Sequence, residues 1–79
     1  NESLAEIFWQ AFSGLSRTKY EYTQLTGDKK IAEHALSEIR KQKQRTPEMG
    51  GPQWRSQLDQ ITRKLQEQLG QKVTGIDGL

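Results

Sequence analysis

One histidine, His34, and a carboxylate one helical turn beyond it, Glu38, are the residues best spaced for proton chemistry in this 79-residue chain. On a helix the carboxylate would orient the imidazole as a general base, or the two would supply half of a metal site. Both chemistries need more than a pair. The chain has no second histidine, no cysteine and no glycine-rich phosphate loop. A helical bundle of this size also lacks the concave pocket that substrates occupy. The pair therefore reads as a solvent-exposed helix contact contributing a few tenths of a kcal/mol. The expectation is a chain that is not an enzyme, with no catalytic residue, no metal and no cofactor.

Arg40, Lys41, Lys43 and Arg45 put four positive charges into six residues. Nucleic acid binding would use them as phosphate contacts, with an affinity that falls as salt rises. A local explanation competes: cations near a helix C-terminus complement its exposed carbonyls. The run holds no aromatic residue to stack on bases. The segment after it, Thr46 to Gly51, carries a proline and two glycines, which is not the tight link of a helix-turn-helix. Nucleic acid binding through this run is the second functional expectation, behind protein recognition.

Trp9 and Tyr20 suggest that recognition. On a helical wheel with Leu4 at zero, they lie near 140° and 160°, roughly 16 Å apart along the axis. Ser13 and Ser16 sit between them and keep the surface flat. Tryptophan and tyrosine are the side chains most enriched at binding hot spots. The expected partner-binding face has Trp9 and Tyr20 at its centre and Glu6, Arg17 and Gln24 at its rim. The competing reading buries Trp9 under a second or third helix, next to Phe8 and Phe12.

Three helices must position these groups. Ser3 and Glu6 form a capping box that opens the first. Leu4, Ile7, Phe8, Ala11, Phe12, Leu15, Tyr22 and Leu25 follow in one stripe, read as its core face. Gly27 ends it in the left-handed conformation that glycine tolerates. Asp28 caps a second helix whose apolar arc is Ile31, Ala32, Ala35, Leu36 and Ile39. Thr46-Pro47 stops it, because a residue before proline avoids the helical region. Pro52 suits the first turn of a third helix, where Trp54, Leu58, Ile61, Leu65 and Leu69 form a stripe one residue wide. Gly70 closes that helix. Val73, Ile76 and Leu79 give the tail some apolar content, and Met49 is isolated in the loop.

Composition sets the bounds. At 32 % apolar and 28 % charged residues the chain is polar, but the apolar residues are periodic and the net charge is only +2, which argues against disorder of the whole. Twelve cations against ten anions give no strong field to attract nucleic acid. No run approaches the roughly 20 apolar residues of a membrane span, and no signal-peptide pattern is visible from Asn1 to Gly14. A cytoplasmic location is the default, for either a processed protein or an excerpt of a longer one.

The fold expected is all-α, a small antiparallel three-helix bundle with helices near 4–26, 29–45 and 52–70. Residues 1–70 form one domain and 71–79 a flexible or loosely docked tail. The function expected is a protein-interaction module that recognises another protein by shape and apolar complementarity. A homo-oligomerisation element built on the third helix is a further alternative, since its narrow seam resembles a coiled-coil face.

Overall fold

A computed structural model describes residues 3–79. The chain is all-helical, with α1 over Leu4–Thr26, α2 over Lys29–Arg45, α3 over Pro52–Gln68 and a 3-10 turn at Ile76–Gly78. Each pair of the three helices is in contact. The signals read from the sequence act as expected at most ends. Ser3 Oγ accepts from the Glu6 amide at 3.2 Å, and Gly27 turns the chain at φ 73°. Asp28 Oδ1 accepts from the Lys30 amide at 3.1 Å. Pro52 opens α3 behind Gly51. The last helix closes two residues earlier than expected, with Gly70 left-handed and the Gln71 amide bonded back to the Gln66 carbonyl.

The core is built from Trp9, Ala32, Ala35, Leu36, Ile39, Met49, Leu58, Ile61, Leu65 and Ile76. From α2 and α3 come the residues expected. Trp54 and Leu69, at the two ends of the α3 stripe, are half-buried against the cluster, and Thr62 and Gln66 widen that stripe beyond its apolar members.

For α1 the expected core face is overturned. Its buried residues are Trp9, Ser13, Ser16 and Thr23, while Leu4, Ile7, Phe8, Leu15, Tyr22 and Leu25 are exposed. The physical reason lies in the neighbours. The small side chains of this side fit between the neighbouring helices: Ser13 and Ser16 are buried, and the Ser13 hydroxyl donates to Gln57 Oε1 of α3 at 3.3 Å. Trp9 packs against the loop between α2 and α3. Gly50 makes room for it: a Cβ there would stand 2.5 Å from the indole. Met49, at φ 51°, is fully buried in the same core.

The tail is docked. Ile76 is buried, and Gln66 holds the backbone before it by accepting from the Thr74 and Gly75 amides at 2.9 Å each. Asp59 accepts from the Ile76 amide and from Arg63, both at 2.9 Å. Lys43 donates to the Ile76 and Leu79 carbonyls at 2.9 and 3.2 Å. Composition gave little sign of this clasp, because its partners are polar side chains far apart in sequence.

Candidate docking surface

The expected partner-binding face does not survive as a surface. Trp9 is only 6 % exposed and belongs to the core. Tyr20 is half-buried; the Lys64 ammonium lies 5.7 Å from its ring centre. Glu6, Arg17 and Gln24 remain exposed, but the anchor they were to surround faces inward. Five residues at spacings of four and three, Trp9, Ser13, Ser16, Tyr20 and Thr23, form a heptad seam along this side. That spacing was the available signal. It is weak because three of the five are serine or threonine, which hydropathy places at the surface.

What α1 leaves outside is more apolar than what it buries. Leu4 and Leu25 are 86 % and 87 % exposed, and Ile7, Phe8, Leu15 and Tyr22 about half exposed. Seven positions, Leu4, Phe8, Ala11, Leu15, Thr18, Tyr22 and Leu25, follow spacings of 4, 3, 4, 3, 4 and 3. These are three heptads of a seam that runs for roughly 32 Å, at 1.5 Å per residue. Thr18 adds to it as an apolar group, because its hydroxyl is engaged on the Gly14 carbonyl at 2.9 Å. None of the seven is charged, and among the positions bordering them only Lys19 and Glu21 are. At the Leu25 end the seam adjoins an open groove of about 430 Å³, lined by Thr18, Lys19, Tyr22, Lys30, Ile31 and His34.

Rings link the two sides of the helix. Phe8 stacks on Phe12 at 5.9 Å between centres, and both meet Trp9 edge-on at 5.0 and 6.0 Å. The outer face is thus continuous with the core through Phe12, which holds Phe8 in place. A rigid aromatic on an exposed face loses little side-chain entropy on binding.

The other candidate groups are dispersed. His34 Nε2 lies 3.9 Å from Glu38 Oε1, and Lys41 shares the same carboxylate at 3.6 Å. Among the described residues, no three potential metal-ligating side chains converge. Of the basic run, Arg40, Lys41 and Arg45 are exposed, but Lys43 is turned to the tail carbonyls. The structure does not bring the four together as one phosphate-facing surface. No helix among the described residues is long and apolar enough to cross a membrane.

No protein-family model matches the chain, and no curated protein or solved structure does either.

Proposed function

We propose that this chain is a non-catalytic protein-interaction module whose working surface is the outer face of α1. One observation carries the reading: a three-heptad apolar seam lies exposed on a domain that has already built its core from the opposite side of the same helix. Monomeric soluble proteins rarely leave a contiguous apolar patch of more than a few hundred Å² uncovered, and larger ones mark interaction sites. Six large exposed side chains amount to about 700 Å² at roughly 200 Å² apiece when fully exposed. The mechanism is burial of this strip against a complementary surface, with no bond made or broken.

The test compares the unaltered chain with Leu15→Glu and Leu25→Glu as bait in affinity capture, with melting temperature measured alongside. Both positions are exposed, so each substitution should change stability by no more than about 0.5 kcal/mol. Capture should be lost. Capture that persists in both variants would remove the outer face of α1 as the working surface.

A further inference from the structure

We propose that the occupant of the α1 face is a second copy of this chain, paired antiparallel along α1; this rests on the reading of that face as a docking surface. The argument comes from the order of side-chain sizes along the seam. In a parallel pair each seam residue meets its own copy. Ala11 would face Ala11 and Thr18 would face Thr18, leaving thin layers between crowded ones at Phe8, Leu15 and Tyr22, whereas packed interfaces fill such gaps. In an antiparallel pair with Phe8 opposite Leu25 of the second copy, the same heptad spacing sets Ala11 opposite Tyr22 and Leu15 opposite Thr18. Each narrow residue then meets a wide one, and the two-fold axis passes between Leu15 and Thr18. The face is complementary to itself in this one direction, as a two-fold interface requires.

Charge and area agree. In the antiparallel register Lys19 lies near Phe12 of the other copy and Glu21 near Gly14, so no like charges of α1 are opposed. In this register Leu4 lies beyond Leu25 of the other copy, and the strips from Ile7 to Leu25 would remove on the order of 1,100 Å² from water, near the lower end of a specific interface. A lipid surface fits less well, since amphipathic membrane helices have polar faces rich in Lys and Arg. α1 carries Glu6 and Glu21 against Arg17 and Lys19.

Sedimentation of the unaltered chain should show the mean mass rising from 9.1 kDa toward twice that value with concentration. Leu15→Glu and Leu25→Glu should each hold the mass at the monomer with helical content unchanged. Because the chain has no cysteine, direction can be read by cross-linking. A mixture of Phe8→Cys and Leu25→Cys chains should form the mixed disulfide well above either homodimer. Preferred Phe8→Cys homodimers would mean a parallel pair and overturn the register. A chain that stays monomeric up to about 1 mM, a bound weaker than −4.1 kcal/mol, overturns the second copy as occupant. Two further arms then separate that failure from failure of the docking reading. If capture from extract is still lost on Leu15→Glu, the face docks a different protein and only self-pairing falls. Sedimentation with anionic vesicles that Leu15→Glu abolishes would make the occupant a lipid surface, and both readings would fall.

Discussion

Trp9 lies on Gly50, with the indole where a side chain at that glycine would begin. The contact joins the first helix to the loop between the other two, and it selects which side of α1 faces inward. Gly50 is also left-handed, at φ 84°. Gly50→Ala should therefore cost more than Gly27→Ala, which has a left-handed glycine with open space around it. About 1–2 kcal/mol is expected at Gly27 from conformation alone, and visibly more at Gly50. Trp9→Ala should cost about 3–5 kcal/mol. Thermal melts followed by circular dichroism check all three.

The two faces of α1 predict a contrast with α3. Leu65→Ala removes a fully buried side chain and should cost about 2–5 kcal/mol. Leu15→Ala, on the outer face, should move the stability of the monomer by no more than about 0.5 kcal/mol. Urea unfolding at dilute concentration distinguishes them. Equal costs would mean that α1 is packed on its outer side.

Asp59 supplies a pH prediction. Burial alone would raise its carboxyl, but the Ile76 amide, the Arg63 hydrogen bond and the charges of Arg63 and Arg55 outweigh that and hold it below the usual range. A depressed folded value contributes stability that is present above the unfolded value of about 3.9 and is lost as pH falls through the folded one. The tail clasp should loosen in that acidic window. The protection of the Ile76 amide, its exchange rate divided into the intrinsic rate at each pH, should fall in that window, and the step should be absent in Asp59→Asn.

Thr62 is fully buried, and its hydroxyl has no hydrogen-bond partner. Thr62→Val keeps the shape and removes an unsatisfied polar group, so it should be neutral or stabilising by about 1 kcal/mol. A loss of stability in the melt would mean that the hydroxyl is bonded.

For the basic run, binding to random duplex at physiological salt should be no tighter than roughly 10⁻⁶ M, the limit of ordinary non-specific contact. Fluorescence anisotropy across a salt series measures it. A much tighter value that weakens when Arg40, Lys41 and Arg45 are replaced by Gln would restore the nucleic acid reading.

The three helices were legible because their ends are written in single residues: Ser3, Gly27, Asp28, Pro47 and Pro52 each act through local backbone chemistry. Stripes on α2 and α3 were legible because each helix has only one apolar side. α1 has two, and reading by hydropathy chose the side with more carbon. What decided otherwise was the bond of Ser13 to Gln57, 44 residues on, and the fit of an indole to a glycine 41 residues away, which no local pattern encodes. Met49 and the polar clasp on the tail were hidden for the same reason. Of the expected partner-binding face on α1, Trp9 is buried and Tyr20 half-buried.

Because α1 buries one set of residues and leaves another exposed, most of its outer letters are not those that hold the fold; Phe8, packed on Trp9 and Phe12, is the link between the two sets. Trp9, Ser13, Ser16 and Thr23 are held by the bundle, whereas Leu4, Leu15 and Leu25 stand at its surface. Descendants of this chain are free to change Leu4, Leu15 and Leu25, and with them the surface this helix shows to solvent, without having to find a new way to fold.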